Sequence, residues 1–232
     1  MIKAFIFDLD GTLVNTEKLH YRAWKQALIQ NGVGTISFET FLSFAGTSNE
    51  KVAADYINSH SIKKSITELV LEKQALYMKL VPDVELCDGV CEVINTFKDK
   101  VSMAVASSSH RKEVHAILSA HGLIDSFSQI VGGDMVTRQK PDPEIYLTTN
   151  KLLGIAPQHS IAFEDSTHGL HAAKSAGMYG VAIPNEFTMG QDFSRADMVL
   201  NSLKEFSQEV LQLIISNRSS LAPLSGESSG TI

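Results

Sequence analysis

From Val101 onward the chain repeats one unit: a continuous apolar run, a polar cluster, then an amphipathic helix. The run from Val101 to Ala106 ends in Ser107-Ser108-Ser109. The helix after it keeps Val114, Ile117 and Leu118 on one face, with Gly122 as its stop signal. Ile130-Val131 is a shorter strand before Gly132-Gly133-Asp134. Asp142-Pro143 then offers a helix N-cap with proline at the first helical position, and Leu153-Gly154 closes that helix. Ile161-Ala162-Phe163 leads through Glu164-Asp165-Ser166 into a helix carrying Leu170, Ala173 and Ala176. Val181 to Ile183 and Met198 to Leu200 read as two more strands, and Phe206 to Ile215 as a last helix. Strands that are apolar throughout are buried on both faces. The rhythm therefore specifies an α/β fold, a parallel sheet covered by helices on each side.

One stretch breaks the pattern. After a first apolar strand, Ala4-Phe5-Ile6-Phe7, the chain reads as consecutive helices with no strand: Thr16 to Gln30, Glu39 to Ala45, Asn49 to Ser59 and Ile66 to Val81. A helical insert in an α/β unit is most simply a separate small domain, joined near Asn15 and near Pro82-Asp83. The expected division is a core of residues 1–15 and 83–217 and a helical domain of residues 16–82. Residues 218–232 are rich in Ser and Gly with little to bury, and are expected to be disordered.

The strands also deliver chemistry to one place. In open parallel sheets ligands bind beyond the carboxyl ends of the strands. There stand Asp8 and Asp10, Ser107 to Ser109, Lys140, and Glu164-Asp165. Asp8 and Asp10 are two residues apart at the end of an extended run, so they can face one site, with Gly11 freeing the backbone beside them. Together these groups meet the needs of phosphoryl transfer through a covalent acyl-phosphate. Asp8 is the expected nucleophile. Asp10 is the expected acid for the leaving alkoxide and then the base for the attacking water. Ser107, with backbone N–H groups around Ser108, can donate to a phosphoryl oxygen, and Lys140 supplies a positive point charge. Asp165, with Glu164, completes an oxygen ligand set for Mg2+. Each group alone has a plainer reading: Ser107 as a helix cap, Lys140 as a surface lysine before a turn, the acids as solvated strand ends.

A net charge of −6 argues against a general nucleic-acid binder and against an anionic membrane surface, while a bound cation still admits an anionic substrate. Two cysteines, Cys87 and Cys91, are too few for a zinc site or a disulfide framework and are expected to be reduced, half-buried thiols. No apolar stretch is long enough to cross a bilayer, and a motif as early as Asp8 argues against a signal peptide. The expectation is a cytoplasmic monomer acting on a small phosphorylated metabolite, with no nucleic-acid or membrane partner.

In this order and spacing, Asp8-Leu9-Asp10-Gly11-Thr12, Ser107 after its strand, Lys140-Pro141 and Glu164-Asp165-Ser166 resemble the four motifs of the haloacid dehalogenase superfamily of phosphohydrolases. The resemblance runs from Ile2 to about Ile215. It implies a Rossmann-like core with a helical cap inserted after the first motif. It also implies Mg2+ held by the Asp8 side chain, the Asp10 backbone carbonyl and the Asp165 side chain, with Glu164 beside them. Within the superfamily, His20-Tyr21-Arg22-Ala23-Trp24 and the loop Gly46-Thr47-Ser48 are similar to the β-phosphoglucomutase and sugar-phosphatase group. The mutases carry an arginine directly after that loop to grip a second phosphate. Here the position is Asn49, and an amide cannot replace a bidentate guanidinium. Lys73, where the mutases also have lysine, keeps part of the grip. The expected substrate-binding residues are His20, Trp24, Gly46, Asn49 and Lys73 in the cap, with Ser108 and Ser109 in the core. His20 and Trp24, four apart on one helical face, also fit plain packing.

The expected function is a Mg2+-dependent phosphatase for small sugar or polyol phosphates, and its rival is a sugar-phosphate mutase of the same group. Dehalogenases have no need of an acid such as Asp10. Phosphonate hydrolases resembling this fold lack that second Asp and use a cap lysine near position 49. Receiver-type signalling domains share Asp, Mg2+, Ser/Thr and Lys, but they are shorter, lack a helical insert and place the acceptor in a middle strand. Against a catalytically inactive binding protein stand four intact motifs.

Overall fold

The computed structural model describes residues 1–44 and 49–220. Within them the strands are β1 (Ala4–Phe7), β2 (Val14–Asn15), β3 (Glu85–Leu86), β4 (Ser102–Ala106), β5 (Gln129–Val131), β6 (Ser160–Glu164), β7 (Tyr179–Ala182) and β8 (Met198–Val199). The helices are α1 (Glu17–Gln30), α2 (Phe38–Leu42), α3 (Asn49–His60), α4 (Ile66–Leu80), α5 (Val90–Phe97), α6 (Arg111–Ala120), α7 (Glu144–Leu153), α8 (Thr167–Ser175) and α9 (Gln208–Ser220). Six strands form one sheet of order β5-β4-β1-β6-β7-β8, and every neighbouring pair is parallel. This is a Rossmann-like core: the chain winds outward from β1 through β4 and β5, then crosses back to β6 on the other side. The strand order reverses beside β1, where such sheets bind ligands.

Register sets the level at which the polar clusters emerge. Phe7 pairs with Val105 on one side and Phe163 on the other, so Asp8, Ala106 and Glu164 follow at one height. Backbone hydrogen bonds continue past the strand ends, from Asp8 N to Phe163 O and from Ser107 N to Val131 O, both at 3.0 Å. The polar side chains at the strand ends thus stand on backbone that is still held by the sheet.

The two faces of the sheet are packed differently. Side chains alternate along β1, so Phe5 and Phe7 face one way and Ile6 the other. Phe5 meets Phe97, Phe163 and Phe206 edge-on at centroid distances of 5.1, 5.4 and 5.4 Å, and Phe7 stacks on Phe163 at 4.7 Å. Residues of α5, α6 and α9 join that aromatic face. On the opposite face small side chains, Ala104, Ala106, Ala162, Ala172 and Ala173, let α7 and α8 approach closely around Ile6 and Tyr146.

The insert is a cap domain of helices α1 to α4, with α4 opened by a full capping box between Ser65 and Glu68. Its two joins are not bare hinges. β2 and β3 pair antiparallel, Val14 with Leu86 and Asn15 with Glu85, so both connections leave the core as one short ribbon. Two-residue strands carry no periodic signal, so the sequence pattern does not mark this ribbon. Other boundaries shift by a few residues. Helix α7 begins at Glu144 with Pro143 in the cap position, while Asp142 Oδ1 accepts from Glu144 N at 3.0 Å. Helix α9 extends to Ser220, past the expected start of a disordered tail at Arg218. The remaining tail, residues 221–232, and the loop with Gly46 lie outside the described residues. Both cysteines are free, but only Cys87 is half-buried; Cys91 is exposed because it sits on the outer side of α5. No described helix is long and apolar enough to cross a membrane.

Candidate active site

Lys140 organises the end of the sheet. Its Nζ donates to Asp8 Oδ1 and to Glu164 Oε1, both at 2.6 Å, and to the Ala106 carbonyl at 3.0 Å. The lysine is therefore no surface residue; its side chain is 7% exposed. Burial alone would lower its pKa, but the Asp8 and Glu164 carboxylates reverse the sign and hold it charged. One ammonium does not balance what surrounds it. Asp8, Glu164 and Asp165 are all buried, with one carboxylate oxygen of each within 4.8 Å of the others. Burial, then the nearby Glu164 and Asp10 charges, push Asp8 up to about 7 against the pull of Lys140. Burial and the charges of Asp8 and Glu164 likewise drive Asp165 well above the usual carboxylate range.

Three buried carboxylates facing one lysine form an oxygen-rich, electron-rich pocket that fits a hard divalent cation such as Mg2+. The three acids are not equally available. Glu164 Oε1 takes Lys140 and the Tyr146 hydroxyl, the latter at 2.5 Å, and its Oε2 takes Ser166 Oγ at 3.2 Å. Gly169 presses against the same group, since a Cβ there would lie within 2.0 Å of the Glu164 carboxylate. Glu164 is thus locked by protein donors. By contrast Asp8 Oδ2 and Asp165 Oδ1 accept nothing from the described residues, while Asp165 Oδ2 takes Asn185 Nδ2 at 2.8 Å.

Asp10 lies outside this cluster. Its Oδ1 accepts from Thr16 Oγ1 at 2.7 Å, and its Oδ2 accepts from Ser109 Oγ at 2.8 Å and Ser107 Oγ at 3.2 Å. The Ser107 hydroxyl in turn accepts from the Ser109 backbone N–H at 3.0 Å. His110, with no side-chain cap bond, is the N-cap of α6, so Ser107 does not cap that helix; the serine cluster instead orients the second acid. Ser108 is exposed at the same turn. Gly11 is required between the acids: its φ is +85°, and a Cβ would lie 2.2 Å from Asp165 Oδ2.

Above the core, the cap contributes a buried cation. Lys73 is fully buried on α4, with Nζ 2.8 Å from His20 Nδ1 and over the rings of Tyr77 at 5.0 Å and Trp24 at 5.9 Å. His20 stacks on Tyr77 at 4.4 Å. Burial pushes Lys73 down to about 8, although Glu113, Asp10, Glu17 and Glu50 pull it up. Burial and Lys73 together push His20 well down, which keeps the imidazole neutral and able to accept from the ammonium. Trp24 is packed inside the cap, as its plain reading has it, and Asn49 opens α3 directly after the undescribed loop. Cap and core also meet directly, Gln74 Nε2 donating to Glu113 Oε1 at 2.6 Å. A cavity of about 240 Å³ between them is lined by Asp10, Thr16, Glu17, Asp165 and Asn185, among others.

The haloacid dehalogenase-like hydrolase family matches residues 5–183, which is most of the chain. The chain belongs to this family. Among its relatives, a validoxylamine A 7'-phosphate phosphatase from Streptomyces hygroscopicus subsp. limoneus is 32% identical, over 88% of this chain and 96% of the relative. A β-phosphoglucomutase from Bacillus subtilis is 31% identical, over 90% and 94%. Among solved structures, a CbbY mutant from Rhodobacter sphaeroides in complex with xylulose-(1,5)bisphosphate superposes with a TM-score of 0.79. It is 30% identical, over 88% of this chain and 96% of that one. Relatives named as phosphatases support a phosphohydrolase here too.

Thr16, Tyr146 and Asn185 are site residues that the sequence does not announce. Thr16 carries the one signal that could have marked it, a helix-opening threonine just past the acidic motif. Tyr146 reads as an ordinary core position of α7, and Asn185 as a loop residue.

Proposed function

We propose that this hydrolase is a Mg2+-dependent phosphatase that cleaves small sugar or polyol phosphate monoesters through an aspartyl-phosphate on Asp8. The observation that carries the reading is the Asp8–Lys140–Glu164 ion pairing beside Asp165, with Asp10 held by separate donors at the same end of the sheet. Asp8 keeps Oδ2 free to attack phosphorus while Lys140 holds Oδ1 and offsets the charge that gathers on the phosphoryl oxygens. Asp10, turned away from the carboxylate cluster, protonates the leaving oxygen and then takes a proton from the water that attacks the acyl-phosphate. In this reading Asp8, Asp165 and the Asp10 carbonyl hold Mg2+, and Glu164 positions Lys140 rather than binding the ion. When bound, Mg2+ polarises the phosphoryl group and lets two anions meet. The cap excludes bulk water and offers Lys73 and His20 to the leaving group, with Asn49 at its edge. Relatives named as phosphatases of fructose 1-phosphate and of validoxylamine A 7'-phosphate, and a structural neighbour in complex with xylulose-(1,5)bisphosphate, support the substrate class.

Phosphate release over a panel of sugar phosphates tests the reading, with Asp8→Asn expected to cut turnover by several orders of magnitude. Near-normal turnover in that variant would sink the mechanism. A mutase is the second reading, favoured by the buried Lys73 cation and the mutase relative. Product analysis separates the two. A mutase primed with a sugar bisphosphate converts hexose 1-phosphate to 6-phosphate faster than it releases phosphate, and this chain is expected to do the reverse.

A further inference from the structure

The loop after β7 touches both the carboxylate cluster and the cap. Asn185 Nδ2 donates to Asp165 Oδ2 at 2.8 Å and reaches the Gly11 carbonyl at 3.4 Å. Its Oδ1 accepts from Phe187 N at 2.9 Å, closing a side-chain turn that Thr188 reinforces: Thr188 Oγ1 accepts from Asn185 N at 3.0 Å. Two residues past Asn185, the Phe187 ring sits edge-on to Phe38 of α2, at a centroid distance of 5.9 Å and 76°. Phe38 is itself fixed within the cap, 5.0 Å from Tyr21 of α1 and 6.1 Å from Phe41. Asn185 and Phe187 thus move as one hydrogen-bonded turn, gripping a core carboxylate at one end and a cap ring at the other.

We infer that Asn185 is a positioning residue for Asp165 and that the Phe187–Phe38 contact couples the cap's position to cation binding in the core. The inference rests on the reading that Asp8 and Asp165 hold Mg2+. Two constraints and one open position meet at Asp165. Oδ2 is taken by Asn185, a Cβ at Gly11 would lie 2.2 Å from the same oxygen, and Oδ1 is left for a ligand. The carboxylate therefore has little freedom once Asn185 is set, and Asn185 is set by the turn that Phe187 anchors. A cap that swings away from the core withdraws Phe38 and loosens that anchor. By linkage, a cation that prefers the ordered Asp165 favours the seated cap to the same degree.

The test is calorimetric titration of Mg2+ into the full-length chain without substrate, alongside melting curves in chelator. Asn185→Ala should weaken Mg2+ binding by about 10-fold, as loss of a partner that orients a ligand does. Phe187→Ala and Phe38→Ala should each weaken it by roughly 2–10-fold, the worth of one edge-on ring pair. The double variant should be no worse than either single one, and Phe187→Tyr should bind as the wild type does. A purely structural role would lower the melting temperature in chelator and leave the Mg2+ affinity of the folded fraction untouched. Unchanged affinity in Asn185→Ala overturns the positioning role, and unchanged affinity in both phenylalanine variants overturns the coupling. If Asn185→Ala does not fold, Asn185→Ser is judged by the same criterion. A wild-type chain that binds no Mg2+ overturns the functional reading as well, and that failure is distinguishable because no variant is needed to see it.

Discussion

Replacing Lys73 by methionine is expected to stabilise the substrate-free protein while loosening its hold on anionic ligands. Lys73 is fully buried, its Nζ bonds to a neutral imidazole, and it takes part in none of the ion pairs among the described residues. Its pKa falls from 10.5 to about 8, with burial as the largest cause. At about 1.4 kcal/mol per pH unit, that gap amounts to roughly 3 kcal/mol of folding free energy lost by keeping the side chain charged. Methionine has a similar shape and no charge, so packing is retained. Losing the contacts to Tyr77, Trp24 and His20 offsets part of the gain, leaving about 1–2 kcal/mol. For a chain of this size that is an increase of about 2–8 °C in Tm. The sign with pH follows from the depressed folded pKa. Between about 8 and 10.5 the unfolded chain binds the extra proton, so wild-type stability rises with pH there and the advantage of the variant fades. Melting curves at pH 7 and at pH 10 measure both effects, and titration of a sugar bisphosphate measures the lost anion binding. A variant that melts below wild type at pH 7, or a gain that persists undiminished at pH 10, refutes the assignment of Lys73 as a buried cation held outside any ion pair.

Mg2+ affinity should fall as pH drops through about 7, because burial raises Asp8 to that value and a proton then competes with the metal. In chelator the Asp8 contribution has the opposite sense. Its raised folded pKa favours the protonated fold, so this stabilisation is full below 3.8 and lost as pH rises through about 7; melting curves with and without Mg2+ should diverge with pH. Gly169→Ala should cost about 1–3 kcal/mol and lower turnover, because its Cβ would collide with the Glu164 carboxylate that holds Lys140. An unchanged Tm and turnover would show that Glu164 moves aside freely.

The sheet was legible because β1 is apolar along its whole length and β4 and β6 carry the apolar runs Met103–Ala106 and Ile161–Phe163, as strands buried on both faces do. The convergence of polar groups at the end of the sheet was legible for a related reason: each directly follows such a strand or a marked turn. What escaped depends on distance in the chain. Asn185 reaches Gly11 across 174 positions, so no local pattern reports that bond. Tyr146 escaped for another reason. Its ring belongs to the apolar stripe of α7, and only the folded structure shows that its hydroxyl ends on Glu164. In the cap, helical spacing placed His20 and Trp24 on one face without telling which looked inward. Trp24 is interior, and His20 partners Lys73.

Glu164 and Asp165 are adjacent carboxylates, yet strand geometry turns them to different partners. Successive side chains at a strand end point to opposite faces. Glu164 turns toward Tyr146 and Gly169 on the side of α7 and α8, and Asp165 turns toward Gly11 and Asn185. If Mg2+ binds through Asp165 and not through Glu164, neutral isosteres separate the two roles. Glu164→Gln keeps an oxygen to accept from Tyr146 but removes one of the two carboxylates that hold Lys140. It should lower stability by about 1–3 kcal/mol and change Mg2+ affinity only a few-fold. Asp165→Asn removes a ligand outright and should weaken Mg2+ by about 100-fold or more while leaving the Lys140 ion pairs in place. Calorimetric titration of both variants decides the matter. Loss of Mg2+ binding in Glu164→Gln equal to that in Asp165→Asn would mean that Glu164 ligates the ion itself and that its three protein donors yield when the ion arrives.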